Sequence, residues 1–383
     1  MKILLLGEYS NLHNSLKKGL CELGHKVTLI STGDGFKGYS SDILYKKKPI
    51  STRYNPLKKL FKLIFKYPFS FYVRSFQFEK ILPQLKGYDV IQLINEHAIG
   101  GVPYIERKQL SKLKKQNKNM ILLCCGDDYN TIHFQLNTTK LKYSVLTPYL
   151  SNKRLKPKYE YSLKYITEPF IKLSKHIENI SLGVIASDID YHLPLQNNSK
   201  YLGLIPNPVV LNKLKPTKKQ EINTRILLGI NTSSYIKKGI DYFEKALTEI
   251  EKRYPNVIIK KTKNLPFSEY IEELNKTDIL LDQVFGYDQG YNALEAMALG
   301  KVVFTGAERE FLEHYNLNED EVAINALPHV EYLVSKLSML IEDPERIQKI
   351  GKNAKAFVIK HHDATRVAKM YVDVWENAIE QQS

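Results

Sequence analysis

The 383-residue sequence is poor in cysteine and contains no long apolar run. Its three cysteines, Cys21, Cys124 and Cys125, are odd in number, include an adjacent pair and lack zinc-ligand spacing. A disulfide framework and a structural zinc are therefore not expected, and a reducing cytosol is the expected compartment. No run of about 18 apolar residues exists, and the N-terminal MKILLLGEYS is too weakly apolar for a signal peptide. The sequence predicts a protein that is neither secreted nor membrane-spanning.

Proline-, glycine- and serine-rich tracts are also absent. Hydrophobic residues make up 43% of the chain and charged residues 25%, as in ordinary globular proteins, so a disordered, collagen-like or coiled-coil chain is excluded. The length is two to three times that of a usual domain, which favours two domains.

Charge is the property present in excess, and it is unevenly distributed. The net charge is +15, and residues 1–200 hold 32 Lys and Arg against 15 Asp and Glu, whereas the remainder holds 24 against 26. The whole positive excess therefore lies in the first half. This asymmetry predicts one domain that faces an anionic surface or partner and a second with another task.

Short apolar runs alternate with helical patterns in both halves. The first half has such runs at Lys2–Leu6, Val90–Ile94 and Met120–Cys125, and the pattern restarts at Arg225 with strand Ile226–Gly229 and helix Gly239–Arg253. Strands alternating with helices predict parallel sheets covered on both faces. The fold class is thus predicted as α/β, with two Rossmann-like, doubly wound domains facing a cleft.

The prolines of IPNP at 205–208 and the polar stretch that follows mark a domain boundary. We predict an N-terminal domain over residues 1–205 and a C-terminal domain over residues 206–363. A last helix at about 364–383 is predicted to pack back on the N-terminal domain. Ligands of such sheets bind at the carboxyl ends of the strands, so the chemistry should lie between the domains.

The segment from Asp282 to Thr305 suggests a nucleotide site. A strand ends near Asp282, Gly286 and Gly290 form a loop, and a helix begins near Tyr291, so backbone N–H groups and the positive helix end suit a diphosphate. Glu295, one turn inside the helix, could accept hydrogen bonds from ribose hydroxyls. From this segment alone, the favoured alternative is that Glu295 only caps its helix or forms an ion pair within it.

The stretch LEAMALGKVVFTG at 294–306 strongly resembles the nucleotide-sugar signature of GT-B glycosyltransferases, particularly family 4. Further segments agree in order and extend the resemblance over nearly the whole chain, and it is weak at 34–85 and 130–180. They are KILLLGEY, GHKVTLIS, YDVIQL, GVIASD, LIPNPV, ILLGI with KKGIDYFEKAL, and DPERIQKIGKNAKAFVIKHH.

The resemblance implies a donor site for a nucleoside diphosphate sugar, in which Glu295 binds ribose and Lys238 binds the diphosphate. Two departures from the family pattern matter. Tyr287 occupies the place of the family's first Glu. No Arg precedes Lys238, so Lys237 is expected to supply the positive charge that this Arg provides in the family. The alternative for both lysines is that they lie in solvent at the start of a helix. The predicted donor-binding residues are Lys237, Lys238, Asp288, Gln289, Gly290, Tyr291, Asn292 and Glu295.

In the first domain, polar residues follow the strands and are expected to line the cleft from the acceptor side. Asp127 and His13 are the catalytic candidates, because a carboxylate or an imidazole can take a proton from an acceptor hydroxyl. A structural histidine and a helix-capping loop are the alternatives. The predicted acceptor-side residues are Gly7, Glu8, Glu96 and Asp128, with Asn95 and His97 as weaker candidates and Glu308 reaching in from the second domain.

No metal or cofactor is expected. Asp188 and Asp190 spell D-x-D, the metal motif of a different glycosyltransferase fold, but a three-residue match is common by chance. Helix ends and lysines are expected to hold the diphosphate instead.

The segment Leu57–Tyr67 predicts a basic amphipathic helix with complete segregation of its lysines, Lys58, Lys59, Lys62 and Lys66, from its apolar positions. Such a helix can lie on an anionic membrane, with Pro68 and the following aromatics Phe69, Phe71 and Tyr72 extending the contact. A helix packed on its own sheet is an equally weighted alternative.

We therefore expect a cytoplasmic glycosyltransferase, peripheral on the inner face of the cell membrane through Leu57–Tyr67. It would move a sugar, with retention, to a hydroxyl of a glycan or lipid-linked acceptor in surface polysaccharide synthesis. The alternatives are a nucleotide-sugar epimerase or phosphorylase on the same fold, and a nucleic-acid binder. No nucleic-acid-binding motif is present, so no nucleic acid is expected as partner.

Overall fold

The computed structural model describes residues 1–34, 38–45, 66–211 and 223–381. The predicted helix Leu57–Tyr67 lies almost wholly outside these ranges. Among the described residues, no helix is both long and apolar enough to cross a bilayer.

The first domain contains a seven-stranded parallel sheet in the order β3-β2-β1-β4-β5-β6-β7. Its strands are short and apolar, and β1, β4 and β5 lie side by side in its centre, where side chains are covered on both faces. The strands are β1 (Lys2–Leu6), β2 (Lys26–Ser31), β3 (Ile43–Leu44), β4 (Val90–Leu93), β5 (Asn119–Cys124), β6 (Val184–Ala186) and β7 (Tyr201–Leu204).

Helices connect these strands and cover the sheet. Those between β5 and β6 are short and form a subdomain with its own small apolar core, which includes Tyr159, Tyr165 and Phe170. The helices are α1 (Leu12–Glu22), α2 (Phe69–Ile81), α3 (Pro103–Lys115), α4 (Tyr129–Asn137), α5 (Thr147–Ser151), α6 (Lys156–Leu163), α7 (Glu168–Ile180) and α8 (Ile189–Leu195).

The second domain contains a five-stranded parallel sheet in the order β12-β11-β10-β8-β9. Its strands are β8 (Arg225–Ile230), β9 (Ile258–Lys263), β10 (Ile279–Leu281), β11 (Val302–Thr305) and β12 (Ile324–Asn325). Its helices are α9 (Ile240–Arg253), α10 (Phe267–Lys276), α11 (Tyr291–Ala298), α12 (Arg309–Tyr315), α13 (Val330–Glu342) and α14 (Pro344–His362).

The chain crosses from one domain to the other twice, and the two crossing segments lie side by side. Val209 N donates to the carbonyl of His362 at 2.6 Å, and Ala364 N donates to the carbonyl of Val209 at 3.1 Å. The last helix, α15 (Ala364–Glu380), then packs on α1 of the first domain and buries Trp375 completely in that domain's core. The two crossing segments are therefore bonded to each other, which suits a hinge.

Gly19 on α1 allows the close approach of α15. A Cβ at Gly19 would lie 2.1 Å from the carbonyl oxygen of Ala364 and 2.8 Å from Cβ of Ala368. We expect Gly19→Ala to lower the free energy of unfolding by about 1 to 3 kcal/mol through overpacking, although Ala normally stabilises a helix relative to Gly. Thermal unfolding of Gly19→Ala and of wild type checks this, with Cys21→Ala, at an exposed position on the same helix, as the control. A Gly19→Ala protein as stable as wild type would contradict the packing.

Candidate active site

Glu8 follows β1 at the carboxyl edge of the first sheet, after Gly7. It is 4% exposed, and its Oε2 accepts hydrogen bonds from the backbone N–H and side-chain amide of Asn14 at 2.9 and 2.7 Å. Burial raises the pKa of Glu8 to about 7 despite these bonds. Burial and the nearby charge of Glu8 also raise the pKa of Tyr291 from the second domain. Glu8 therefore lies near Tyr291 of the second domain, and the predicted place of Gly7 and Glu8 on the acceptor side stays a prediction.

His13 is completely buried in α1 and does not reach the cleft. Its Nδ1 lies 2.8 Å from the carbonyl oxygen of Gly7, which can only accept, so Nδ1 carries the proton. Its Nε2 lies 3.3 Å from the amide of Gln92, whose Oε1 accepts from the indole of Trp375 at 3.2 Å. Burial lowers the pKa of His13 to about 3. A neutral imidazole with both nitrogens occupied does not fit the predicted catalytic role, and His13 instead positions the Gly7 loop.

Glu96 and Asp128 both bind the start of α4. Asp128 Oδ1 accepts from Thr131 N at 2.7 Å, Glu96 Oε1 accepts from Tyr129 N at 3.1 Å, and each side chain is 2% exposed. Burial raises the pKa of both carboxyl groups, and the proximity of Asp128 adds to the shift of Glu96. These contacts correspond to the helix-capping alternative rather than to acceptor binding.

The weaker candidates beside Glu96 are also engaged within the first domain. The Asn95 amide donates to the carbonyls of Cys125 and Asp127 at 3.1 and 3.2 Å. His97 Nε2 lies 2.8 Å from the carbonyl of Gly101, and burial lowers the pKa of His97 to about 3. Asn95 therefore supports the Asp127 loop, and His97 is a core residue.

Asp127 faces the second domain and pairs with it. Its Oδ2 accepts from Lys237 Nζ at 3.0 Å and from the Ser162 hydroxyl, and Lys237 Nζ also donates to Ser162 Oγ at 2.5 Å. The side chains of Asp127 and Lys237 are 18% and 23% exposed. The structure thus joins a predicted catalytic residue to a predicted donor residue by an ion pair that spans the cleft.

Lys238 binds the end of the neighbouring strand β10. Its Nζ donates to Asp282 Oδ1 at 2.7 Å, and the Asn292 amide donates to the same oxygen at 2.7 Å. Asp282 is 2% exposed, and its Oδ2 has no hydrogen-bond partner within the described part of the chain. Lys238 and Asn292 are therefore held at one buried carboxylate, at the starts of α9 and α11.

Gly239, directly after Lys238, is the N-cap residue of α9 and has a φ of 63°. A Cβ there would lie 2.9 Å from Cβ of Val284, whose backbone N–H donates to the carbonyl of Lys238 at 2.9 Å. The positive φ and this close approach explain the glycine. The backbone of Lys238 is thereby fixed against the loop that leads to α11.

α11 begins at Tyr291 with Gly290 as its N-cap residue. Apart from its chain neighbours, no described residue lies within 4 Å of the position that a Cβ on Gly290 would take, so there is open space on that side of the N-cap residue. Glu295 is half-buried one turn further on. Burial, followed by the charge of Glu295, raises the pKa of Tyr39 from the first domain, which places Glu295 at the cleft.

Asp288 and Gln289 are engaged within the protein, unlike the predicted donor contacts. Asp288 Oδ2 accepts from Ile189 N at 3.0 Å, across the domain interface, and Gln289 Nε2 donates to the carbonyl of Gly306 at 2.7 Å. Burial raises the pKa of Asp288 to about 6. Both side chains are at most 5% exposed. They stabilise the interface and the loop, while Gln289 Oε1 has no hydrogen-bond partner within the described residues.

The D-x-D pair lies at the same interface. Asp188 caps α8 through Tyr191 N at 3.3 Å, and the Asp190 carboxylate accepts from Tyr287 N at 3.1 Å and Asp288 N at 3.3 Å. Burial, together with neighbouring carboxylates, raises the pKa of both, that of Asp190 to about 7. The described residues contain no group of three His, Cys, Asp or Glu side chains that could hold a metal ion.

Glu308 and Tyr287 contact the first domain together. Glu308 Oε2 accepts from Lys142 Nζ at 2.7 Å, and Oε1 accepts from the Tyr143 hydroxyl and from the Asn325 amide at 2.9 Å. Burial favours the neutral acid, but these hydrogen bonds outweigh it and hold the pKa of Glu308 below its usual range. The Tyr287 hydroxyl accepts from Lys142 N at 2.8 Å. Both residues thus join the domains.

A cavity of about 350 Å³ opens between the domains beside Lys237. Three lysines, Lys158, Lys237 and Lys263, line it against a single acidic residue, Glu244. Thr232 and Ser233 add hydroxyl groups at the end of β8. This combination suits an anionic ligand with polar hydroxyls.

Asp282, Ser162 and Lys142 are polar residues of the site that were not predicted as members of it, and the same holds for Lys158, Lys263, Glu244, Thr232 and Ser233 of the cavity. Asp282 carries a detectable signal, since it is the first polar residue after an apolar strand and so stands at the carboxyl edge of the sheet. Ser162 and Lys142 lie in the stretch 130–180, where the family resemblance is weak, and no sequence pattern marks them.

Comparison with known proteins relates this arrangement to glycosyl transfer. Residues 224–373 match a family model described as glycosyl transferase-like. The chain is 21% identical over 313 residues to the processive diacylglycerol beta-glucosyltransferase of Bacillus pumilus (strain SAFR-032), covering 77% of this chain and 79% of that protein.

Solved structures agree with this domain architecture. Sucrose-phosphate synthase from Thermosynechococcus elongatus is similar with a TM-score of 0.62 over 100% of both chains, at 12% identity. Anabaena Alr3699/HepE in complex with UDP-glucose has a TM-score of 0.58, covering 98% of this chain and 100% of that one, at 13% identity. The predicted GT-B fold is confirmed, and the comparisons support a GT-B glycosyltransferase.

Proposed function

We propose that this protein transfers a sugar from a nucleoside diphosphate sugar to a hydroxyl of a glycan or lipid-linked acceptor, with retention, in surface polysaccharide synthesis. The observation that carries the proposal is that Lys238 and Asn292, at the starts of α9 and α11, both donate to the Asp282 carboxylate. Two helix N-termini and a lysine converge there, which suits the charge of a diphosphate. Glu295, one turn further on, suits the ribose hydroxyls.

The reaction breaks the bond between the anomeric carbon and the diphosphate oxygen, and it forms a bond from that carbon to the acceptor oxygen. The nucleoside diphosphate leaves with the bonding electrons, and Lys238 stabilises the charge that develops on it. The acceptor hydroxyl loses a proton, and Asp127 and Glu8 are the carboxyl groups at the cleft on the acceptor side. Asp127 must exchange its contact with Lys237 to take part.

The donor class is supported by relatives that bind such donors, since the Anabaena neighbour was solved with UDP-glucose and the B. pumilus relative is a glucosyltransferase. The resemblance to family 4 supports retention of the anomeric configuration. Similarity to a beta-glucosyltransferase supports inversion, because such an enzyme would form a β product from an α-linked donor. The anomeric configuration of the product, read by proton NMR, decides: an α product from an α-linked donor is expected, and a β product would overturn retention.

We expect full transfer and donor-hydrolysis activity in excess EDTA. Lys238 and the starts of α9 and α11 supply the positive charge that a divalent ion would otherwise provide. The check is the release of nucleoside diphosphate with and without the chelator. Loss of turnover in EDTA that Mg²⁺ or Mn²⁺ restores would return Asp188 and Asp190 to consideration.

We further propose that the first domain rests on an anionic membrane. α2 presents Phe69 and Phe76, which are 50% and 62% exposed, beside Lys80, and Tyr104 on α3 is 51% exposed. An exposed aromatic face in the half of the chain that carries the positive excess fits an anionic interface.

Vesicle binding tests the membrane proposal. Vesicles of phosphatidylcholine with phosphatidylglycerol should bind the protein at low salt and release it at high salt, because salt screens the lysines. Phe76→Ser should weaken binding about tenfold, since an exposed aromatic side chain contributes roughly 1.5 kcal/mol or more when buried. Lys175→Gln, an exposed position on α7, serves as the control. Wild-type protein that ignores these vesicles at low salt would refute the proposal.

The same assays separate the rival functions. An epimerase would convert the nucleotide sugar without an acceptor, and a phosphorylase would require phosphate. A nucleic-acid binder would bind oligonucleotides in a salt-sensitive way and would ignore nucleotide sugars.

A further inference from the structure

Lys164 lies in a single helical turn, Lys164–Ile166, two residues after Ser162 of the Asp127 cluster. Its ammonium group is surrounded by aromatic faces. Nζ is 3.8 Å from the ring centroid of Tyr161, 4.6 Å from that of Tyr165 and 5.3 Å from that of Phe170. The lysine is therefore held in an aromatic cage on the acceptor side of the cleft.

This ammonium group has no hydrogen bond and no ion pair with any residue in the ranges that the structure describes. Arg74 on α2 lies over the same aromatic ring as Lys164, because Arg74 Cζ and Lys164 Nζ are each 5.9 Å from the ring centroid of Phe71. Among the described residues Arg74 forms no ion pair, and its Nη1 donates to the carbonyl of Gly100 at 3.1 Å. Burial, with the repulsion from Arg74, lowers the pKa of Lys164 to about 8 although nearby carboxylates oppose the shift. Within the described ranges, neither of these two cations thus has an ion-pair partner.

The carboxylates whose charges act on Lys164 are those of Asp127, Glu106 and Glu96, and all three are engaged elsewhere, Glu96 accepting from Tyr129 N at 3.1 Å. Asp127 accepts from Lys237 and Ser162, and Glu106 accepts from the backbone N–H groups of Ile99 and Gly101, at 2.9 Å each. Burial raises the pKa of Glu106 to about 7, so its charge is partly lost at neutral pH. Since leaving a half-buried cation unpaired is costly, the arrangement calls for an anion that the described residues do not themselves provide.

We propose that Lys164 and Arg74 bind a phosphate group on the acceptor, with Tyr161 contacting the sugar or alkyl part that carries it. Tyr161 is 55% exposed, so its ring is available to such a ligand. Arginine and lysine together suit a phosphate, the first as a fork of donors and the second as a point charge. The inference rests on the proposed function, because it identifies the acceptor class of the same cleft. A soluble sugar phosphate and a lipid-linked phosphate share this chemistry.

The test measures binding of glucose 6-phosphate and of glucose by calorimetry, on full-length protein saturated with UDP so that the donor site is occupied. Glucose 6-phosphate should bind at least about tenfold more tightly than glucose, because charge-assisted hydrogen bonds are the strong ones. Lys164→Met and Arg74→Gln should each remove that preference, while the exposed Lys175→Gln should keep it. Protein that does not bind UDP would count against the proposed function. Protein that binds UDP but does not distinguish glucose 6-phosphate from glucose would exclude a soluble sugar phosphate and leave a lipid-linked phosphate, which the vesicle experiment below tests.

That second arm uses UDP-saturated protein and phosphatidylcholine vesicles with and without phosphatidylinositol. Binding that depends on phosphatidylinositol and falls at least about tenfold in Lys164→Met identifies the lipid-linked source. The same loss confined to glucose 6-phosphate identifies the soluble source. If neither ligand discriminates between wild type and Lys164→Met, the proposal is overturned.

Thermal unfolding separates a ligand site from a structural cation. Lys164→Met removes an unpaired half-buried charge and keeps the apolar stem, so its melting temperature should equal or exceed that of wild type. A lower melting temperature together with unchanged glucose 6-phosphate affinity would show that the lysine only stabilises its aromatic neighbours. Arg74→Gln provides an independent variant should Lys164→Met fail to fold.

Discussion

Lys238→Ala should weaken binding of the donor's nucleoside diphosphate about a hundredfold, while leaving affinity for the nucleoside nearly unchanged. Lys238 lies at the start of α9 and shares the Asp282 carboxylate with Asn292 at the start of α11, and a charge-assisted contact to phosphate contributes about 1.5 to 3 kcal/mol. Calorimetric titration with UDP and with uridine provides the comparison. Equal losses for both ligands would contradict the phosphate role.

Lys238→Ala also leaves Asp282 buried with one hydrogen-bond donor fewer, so some loss of stability is expected and binding must be measured well below the melting temperature. Lys245→Ala is the matched control, because Lys245 is an exposed lysine on the same helix and pairs only with Asp241 at 3.6 Å. It should bind UDP as wild type does.

Glu295→Gln should weaken the binding of UDP and the binding of uridine by the same factor, about tenfold or more, since the lost contact is to ribose rather than to phosphate. The carboxylate lies one turn inside α11 at the cleft, where exclusion of water strengthens a hydrogen bond to a hydroxyl. This pattern of losses differs from that expected for Lys238→Ala, so the pair of variants assigns each residue to its part of the nucleotide.

A deoxynucleotide sharpens the Glu295 test. Wild-type protein should bind 2′-deoxy-UDP or 3′-deoxy-UDP more weakly than UDP. In Glu295→Gln, removal of the same hydroxyl should cause no further loss of affinity, as in a double-mutant cycle. The exposed Glu272→Gln on α10 serves as control. Unchanged UDP affinity in folded Glu295→Gln protein would refute the ribose assignment.

Much of the architecture could be predicted because local patterns are enough to define it. Lys2–Leu6 is a strand over the predicted residues, and the helix predicted at Gly239–Arg253 spans Ile240–Arg253. Apolar runs bounded by turn residues determine strands without knowledge of the rest of the chain. The two-sheet α/β class follows from their alternation.

The use of individual polar residues could not be predicted in the same way. Asp288 follows a strand in the sequence as a donor ligand would, yet it accepts from Ile189 N, 99 residues away in the other domain. Glu308 and Lys142 are 166 residues apart. Such pairs depend on how the two domains dock, and no periodicity within one segment records that geometry. His13 shows the same limit, because the face of α1 that turns inward decides its role.

The most direct test of the central claim is a screen of UDP-, GDP- and ADP-sugars for release of nucleoside diphosphate by wild-type protein and by Lys238→Ala, in EDTA. The nucleotide-sugar cleft predicts slow release from one donor class by the wild type and little from the variant. Absence of both release and binding for every donor, with salt-sensitive binding of oligonucleotides instead, would contradict it.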